Sequence, residues 1–195
     1  CATCLVISAA VSTSGNKLFI KDLTKANAPL VAIVDNTNSD THYIGSKGEY
    51  IYLVTNLNAP NKKVVKVKAS SPTPNNWQDV IAETENVLNV STGGNYIFAK
   101  YIKDAVSMIQ QYDFDGNKIR DINLPEVGSA NGFSGKKKQK EIYFSFSNYK
   151  TPNTIFSLNV ESGDSKVHAR SQVNFDSNKY ESSQVFYTSK DGTKV

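Results

Sequence analysis

Short apolar runs cover almost the whole chain, and Gly, Asn, Asp, Ser and Pro separate them every few residues. The runs are rich in Val, Ile, Tyr and Phe, which is typical of short β-strands bounded by turns. The one stretch that could be helical, residues 80–88, is too short and connects one strand signal to the next. The pattern therefore predicts an all-β protein.

Two of the predicted strands recur with a constant period. In the first, the matching residues are 46, 45 and 46 positions apart: Leu18, Val64, Ile109 and Ile155. In the second, Ile51, Ile97 and Ile142 are 46 and 45 positions apart, and one further repeat back reaches Leu5. A period of about 40 to 50 residues with four strands in each repeat is typical of the blades of a β-propeller.

The other strands of each repeat follow from this frame. The innermost strands are predicted at residues 41–45, 87–91 and 128–134, and the outermost strands at 29–34, 77–82, 119–124 and 166–170. Loops at 56–62, 103–106 and 148–153 connect strand two to strand three. Turns at 115–117 and 162–164 connect strand three to strand four, where Gly and Asn adopt positive φ at little cost.

The number of strands predicts a partial ring. The chain begins at the second strand of one blade and continues through three more, which gives about 3.75 four-stranded blades, whereas propellers close with about four to eight. We therefore expect a piece of a longer domain with an exposed apolar face at each end. Such faces favour self-association, with residues 5–9 and 184–187 near the contact.

Composition and charge exclude two classes of partner. The net charge of +4 comes from 22 basic and 18 acidic residues, and only Arg120 and Arg170 are arginines. The lysines are scattered among acidic residues, whereas nucleic-acid binders concentrate basic residues on one face. No apolar run approaches the roughly 20 residues of a membrane span. We expect neither nucleic acid nor a membrane as a partner.

The two cysteines, Cys1 and Cys4, form a C-x-x-C at the start of the chain. A structural zinc site needs about four ligands, and a redox C-x-x-C normally opens a helix. Here the motif leads into an apolar strand, so no metal or redox cofactor is predicted.

Catalytic signals are absent from the sequence. The G-x-S-x-G elbow of serine hydrolases does not occur, and its nearest approach, residues 132–135, lacks the strand-to-helix turn. His42 and His168 are the only imidazoles, and both lie in predicted strands. Asp113 and Asp115 resemble part of a calcium loop, but the remaining ligand spacing is missing, so turn-forming acids explain them. The prediction is that no catalytic, cofactor-binding or metal residue is present.

Two further features of the sequence have a structural explanation. The lysine-rich run at residues 135–140 could attract an acidic partner, but it lies between the first two strands of a blade, where a solvated hairpin tip is expected. Aromatic residues recur at matching blade positions, and packing between blades explains them better than a ligand site: Tyr50, Tyr52, Tyr96, Phe98, Tyr143, Phe144 and Phe146.

The last residues, SSQVFYTSKDGTKV at 182–195, resemble the junction between the propeller and the α/β-hydrolase domain of prolyl oligopeptidases. Three earlier segments are similar to late-propeller segments of that family: VGSANGFSG (127–135), EIYFSFSNYKTPNTIF (141–156) and LTKANAPLVAIVDN (23–36). The resemblance covers most of the chain, and its most specific part is the tail.

This resemblance implies a two-domain serine peptidase that cleaves short peptides after proline. Residues 1–175 would be part of a seven-bladed propeller that caps the active site, and residues 176–195 the first strand and turn of the hydrolase domain, with the whole catalytic triad beyond Val195. The loop at residues 9–16 would be the counterpart of one that faces the substrate cavity, without a residue match. Two alternatives remain: a free-standing propeller used as a binding scaffold, and the propeller of a related dipeptidyl or acylaminoacyl peptidase.

Overall fold

The computed structural model describes residues 3–195. Fifteen strands and two single 3-10 turns account for its regular structure. The strands are β1 (Cys4–Ala9), β2 (Lys17–Asp22), β3 (Val31–Val34), β4 (Thr41–Lys47), β5 (Tyr50–Thr55), β6 (Lys63–Lys68), β7 (Gln78–Ile81), β8 (Asn89–Gly93), β9 (Tyr96–Lys103), β10 (Val106–Tyr112), β11 (Lys118–Asp121), β12 (Ser129–Ser134), β13 (Glu141–Ser147), β14 (Thr154–Asn159) and β15 (Ser165–Arg170). The 3-10 turns are Pro74–Asn76 and Ser177–Lys179.

The strands form four separate antiparallel sheets in chain order. The first holds β1, β2 and β3, and the other three hold β4–β7, β8–β11 and β12–β15. We call them blades 1 to 4. Within each blade every strand pairs with its neighbour in sequence, and over the described residues, 3–195, blade 1 has three strands and each of the other blades has four. The predicted partial β-propeller of about 3.75 blades is therefore confirmed.

Three apolar clusters fill the three joints between blades. The first joins blades 1 and 2 and is aliphatic, with Leu18, Ile20 and Leu53 at its centre. The second joins blades 2 and 3 and includes Tyr52 and Phe114, whose ring centroids are 4.8 Å apart. The third joins blades 3 and 4 and contains stacked aromatic rings, among them Phe133 and Phe144 at 4.6 Å. The recurring aromatic residues mostly serve this packing, as the sequence predicted.

Several predicted strand bounds are wrong by one to three residues. The innermost strand of blade 3 is Asn89–Gly93 rather than 87–91, and the outermost strand is Lys118–Asp121 rather than 119–124. The predicted loop at 103–106 is only the two-residue turn Asp104–Ala105, because β9 and β10 pair as far as Lys103 and Val106. Both turn residues have positive φ, 50° and 62°, which is the geometry of a tight hairpin.

The segment after β15 is mostly exposed and forms no sheet with blade 4. Residues 187–195 fold back on themselves, where Tyr187 and Val195 exchange two backbone hydrogen bonds of 2.9 Å. Within this turn Asp191 accepts a hydrogen bond from the Thr193 N–H at 3.0 Å. The tail, residues 171–195, therefore ends in a local hairpin and does not continue the propeller.

Candidate functional site

At one end of the blades, strand two of each blade turns into strand three. This end carries the connections 10–16, 56–62, 104–105 and 148–153, and we call it the loop face. Because strand four runs antiparallel to strand three, β15 also ends on this face, and the tail leaves the propeller there. Any structure that follows blade 4 in the chain therefore starts from the loop face.

Asn16, the last residue of the loop at 9–16, fastens blade 1 to blade 2. It is almost fully buried. Its Oδ1 accepts the Thr41 N–H at 2.8 Å, and its Nδ2 donates to the Thr41 carbonyl at 2.9 Å. The Asn16 N–H donates in turn to the Ser39 carbonyl at 3.0 Å. One side chain thereby satisfies both backbone groups of the first residue of β4.

Asp40 extends this network on both sides. Its carboxylate accepts the Gly15 N–H at 2.7 Å, and its own N–H donates to Asn56 Oδ1 at 2.7 Å. Gly15 has a φ of +75°, and a Cβ at this position would lie 1.8 Å from the Thr37 carbonyl oxygen. Only glycine therefore allows the backbone to approach closely enough for the Asp40 contact.

The same device recurs between blades 3 and 4. Ser107 occupies the position equivalent to Asn16, because it lies two residues before Ile109 as Asn16 lies two residues before Leu18. Its Oγ accepts the Ala130 N–H at 3.0 Å, and its N–H donates to the Gly128 carbonyl at 3.0 Å. A small polar residue at this point of the repeat therefore fixes the start of the next innermost strand.

An ion pair closes the loop face of blade 4. Lys150 Nζ lies 2.9 Å from Glu126 Oε1, and Asn148 Nδ2 donates to Glu126 Oε2 at 2.9 Å. The hydrogen bond from Lys150, followed by that from Asn148, lowers the pKa of Glu126. Glu126 therefore stays ionised and holds the 148–153 loop against the connection that enters β12.

A groove of about 510 Å³ opens on the loop face between blades 3 and 4. Its walls come from the Asp104–Ala105 turn, the entry to β12 and the Asn148–Tyr149 region, and residues 182–184 of the tail cross its rim. The Gln184 side-chain amide donates to the Asp104 carbonyl. Tyr149 lines this groove with a fully exposed ring.

The two histidines and the GFSG segment, which the sequence analysis did not assign to catalysis, lie apart in the structure. His42 lies exposed in β4, whereas His168 lies exposed in β15 with its ring 4.7 Å from that of Tyr143. The GFSG segment lies at the end of β12, where Phe133 is buried and Ser134 pairs with Tyr143, and its last residue follows the strand. Since β4 belongs to blade 2 and β15 to blade 4, the two imidazoles belong to different sheets.

The acidic residues at 113–115 build a turn, as expected. Asp113 accepts hydrogen bonds from the Asp115 and Asn117 N–H groups at 2.8 and 2.9 Å. Burial opposes ionisation of Asp113, but the hydrogen bonds from Asn117, Asp115 and Gly116 together lower its pKa. Asp115 pairs with Lys47 of blade 2 at 2.7 Å. Among residues 3–195, no three His, Cys, Asp or Glu side chains lie close enough to hold a metal ion.

The lysine-rich run forms an exposed hairpin tip that contacts two other blades. Gly135 donates its N–H to the Thr92 carbonyl of blade 3 at 3.0 Å, and Lys137 Nζ reaches the Ser46 carbonyl of blade 2 at 3.3 Å. The run thus helps to join three blades.

The start of the chain lies partly outside the described residues, because Cys1 is not among them. Cys4 begins β1, packs against the first apolar cluster and carries no free thiol. Over the described range, 3–195, no helix is long or apolar enough to cross a membrane.

The sequence did not identify Asn16, Asp40 or Ser107. Their positions next to predicted strands are only weak evidence of a role in joining blades, because Asn and Ser are common in turns for many reasons. Only the repeat frame, which places Asn16 and Ser107 at equivalent positions, could have singled them out.

Comparison with known proteins gives a consistent answer. A family model described as "Prolyl oligopeptidase, N-terminal beta-propeller domain" matches residues 1–171. The chain is 47% identical over 191 residues to a prolyl endopeptidase of Elizabethkingia miricola, which covers 98% of this chain and 27% of that protein. It is 31% identical over 186 residues to a dual function macrocyclase-peptidase of Amanita bisporigera, covering 91% of this chain and 25% of that protein.

Solved structures of prolyl peptidases also match this chain. Prolyl oligopeptidase B from Galerina marginata matches with a TM-score of 0.86 and 27% identity, over 98% of this chain and 28% of that chain. A structure from a study of two prolyl endopeptidases and their inter-domain dynamics matches with a TM-score of 0.85 and 27% identity, over 98% of this chain and 28% of that one. The chain thus spans about a quarter of the length of these relatives.

Proposed function

Because the chain belongs to the prolyl oligopeptidase family of N-terminal β-propeller domains, we propose that it is the non-catalytic propeller portion of a serine-type prolyl endopeptidase. In that longer protein the propeller caps the peptidase active site and admits only short, proline-containing peptides. The 47% identity to a prolyl endopeptidase over nearly the whole chain favours this activity over a dipeptidyl or acylaminoacyl peptidase.

One observation supports the capping role. The last strand and the tail leave the propeller on the loop face. The partner of the loop face would be the protein's own α/β-hydrolase domain. We assign residues 176–195 to the first strand and turn of that domain. The family match, which ends at residue 171, and the separate hairpin at 187–195 support this boundary.

The loops on this face would set the size limit for substrates. Asn16 and Asp40 hold the blade 1 to blade 2 joint closed at the loop face through the hydrogen bonds described above. A propeller that filters substrates must keep such joints closed, because a gap between blades would admit longer chains.

The access function is tested in the longer protein that contains this propeller. Asn16→Ala should raise the cleavage of a 30-residue proline-containing peptide relative to a short chromogenic peptide, while cleavage of the short peptide stays the same. Asn178→Ala, which changes an exposed asparagine of the tail, is the matched control. An unchanged ratio in a variant with a lowered melting temperature would restrict Asn16 to a structural role and contradict the access function.

A further inference from the structure

The end of the blades opposite the loop face carries a recess between blades 2 and 3. At this end strand one turns into strand two, through the connections 48–49, 94–95 and 135–140, and we call it the basal face. The recess has a volume of about 320 Å³, and its walls come from blades 2, 3 and 4. Because these three blades are consecutive, the recess involves neither the outer face of blade 1 nor that of blade 4.

Apolar side chains form part of the lining of this recess. Ile44 and Tyr96 are half-buried there, and Phe114 is only 5% exposed. Gly45 keeps the space beside Phe114 open, because a Cβ at this position would lie 3.2 Å from a ring carbon of Phe114. The recess can therefore receive a small apolar group.

Lys137 adds a positive charge to the lining. Its Nζ donates to the Ser46 carbonyl of blade 2 at 3.3 Å, which is a long hydrogen bond to a neutral acceptor. Among residues 3–195 no carboxylate forms an ion pair with Lys137. The hairpin tip that carries it is held against blade 3, where the Gly94 N–H donates to the Lys136 carbonyl at 3.1 Å. The ammonium group is thus placed beside the recess without a counter-ion.

The acidic side chains of the neighbouring turn already have partners. Asp115 pairs with Lys47 at 2.7 Å, and Asp113 accepts hydrogen bonds from N–H groups of its own turn. The two lysines next to Lys137 in sequence also form no ion pair within the described range, 3–195. The uncompensated charge beside the recess is therefore positive, which favours an anionic ligand.

We propose that this recess binds a carboxylate on a small apolar body, with the carboxylate on the Lys137 ammonium and the apolar part against Ile44 and Phe114. A carboxylate makes a charge-assisted hydrogen bond with lysine, which is stronger than the present contact with the Ser46 carbonyl. Pockets for small molecules have volumes of about 300 to 1,000 Å³, so this recess suits a small ligand or a single residue. Two sources share this chemistry, namely a free carboxylic acid and the C-terminal residue of a peptide. The proposal does not depend on the peptidase assignment.

Isothermal titration calorimetry of the longer protein that contains this propeller tests the proposal, with 3-phenylpropionate as the probe. We expect saturable binding, and binding at least about tenfold weaker for 3-phenylpropionamide, which has the same apolar body without the charge. Lys137→Gln should raise the dissociation constant of 3-phenylpropionate by a factor of about ten or more. Lys138→Gln changes an exposed lysine of the same hairpin tip and is the matched control, in which the dissociation constant should stay the same. Binding at any other site of the protein would not respond to Lys137→Gln.

A second variant tests the position of the apolar body. Gly45→Ala should also weaken the binding of 3-phenylpropionate, because its Cβ occupies the space beside Phe114. The melting temperature of each variant shows whether the fold is intact, and Lys137→Gln, at an exposed position, should leave it unchanged. An unchanged affinity in Gly45→Ala would place the ligand outside the recess and contradict the proposal.

A pair of peptides distinguishes the two sources of the carboxylate. The peptide Gly-Gly-Gly-Phe is titrated once with a free C-terminus and once with an amidated one. Binding of the free-acid peptide that is lost in Lys137→Gln would identify the ligand as a peptide C-terminus, whereas such binding of 3-phenylpropionate alone would identify it as a free acid. The proposal is overturned if neither probe binds, if acid and amide bind equally, or if Lys137→Gln and Lys138→Gln have the same affinity.

Discussion

Asn16 and Thr41 exchange two hydrogen bonds across the joint between blades 1 and 2, with the Thr41 N–H donating at 2.8 Å and the Thr41 carbonyl accepting at 2.9 Å. The amide of asparagine offers one acceptor and one donor, which is the pair that a buried backbone unit requires. This residue therefore connects two sheets that share no strand pairing.

Replacing Asn16 with Ala should lower the free energy of unfolding by about 2 to 4 kcal/mol, because it leaves two buried backbone groups without partners. Urea denaturation of the purified chain measures the change. Asn178→Ala, at an exposed position, should change it by less than about 0.5 kcal/mol. Equal stabilities for the two variants would mean that water replaces the lost contacts.

Gly15→Ala should be more destabilising than Gly48→Ala. Both glycines have positive φ, +75° and +58°, so both changes carry the left-handed penalty of about 1 to 2 kcal/mol. Only at Gly15 would the new Cβ also lie 1.8 Å from a backbone oxygen, whereas at Gly48 it meets no atom within 4 Å. The difference in denaturation midpoint between the two variants measures the destabilisation caused by the close contact with Thr37. Equal midpoints would show that the loop shifts to accommodate the new Cβ.

The blades could be predicted from the repeat in the sequence. The bounds of β8, however, are set by the turn that follows it and not by hydrophobicity. Leu88 looked like a strand residue, yet it is buried as part of a connection, and its N–H donates to the Asn61 carbonyl. Thr92 and Gly93 gave no hydrophobic signal, but they pair with Ile97 and Tyr96. The Gly94–Asn95 turn, with φ values of 58° and 68°, imposes that register.

The interblade contacts were harder to predict because they join residues far apart in sequence. Gln111 illustrates this, since it is fully buried and its Nε2 donates to the Val160 carbonyl, 49 positions away, at 2.7 Å. A glutamine in a predicted strand would be expected on an exposed face. Only the packing of blade 3 on blade 4 explains why a polar residue lies there.

Tyr52 should make the protein lose stability at alkaline pH. Burial, followed by the carboxylates of Asp115 and Asp113, raises the pKa of Tyr52 to about 12. The unfolded chain ionises this tyrosine near its ordinary value of about 10, so its contribution is complete below pH 10 and is lost as the pH rises towards 12. Tyr52→Phe should flatten the stability profile over this interval, and Tyr149→Phe, at an exposed position, should not. Parallel profiles for all three proteins would contradict the raised pKa.

The purified chain should not hydrolyse proline-containing chromogenic peptides. His42 and His168 lie in different blades, and neither activates a serine in the described structure, so a nucleophile with its base is missing. The assay is release of the chromophore over hours at high protein concentration. Turnover that survives repurification and is blocked by a serine-directed inhibitor would refute the prediction.

The tail should be removed by a nonspecific protease well before the blades are cut. Residues 171–195 are almost all exposed, and the nearest ordered contact to blade 4 is the hydrogen bond from Ser171 Oγ to the Asn153 carbonyl at 3.1 Å. An exposed segment with few buried contacts opens at little cost in free energy. Mass spectrometry over time should show cleavage between residues 172 and 186, while the exposed lysine hairpin at 135–140, which is anchored at Gly135 and Lys137, resists for longer. Cleavage at this hairpin first, or full protection of the tail in a chain shown to be monomeric, would contradict the prediction.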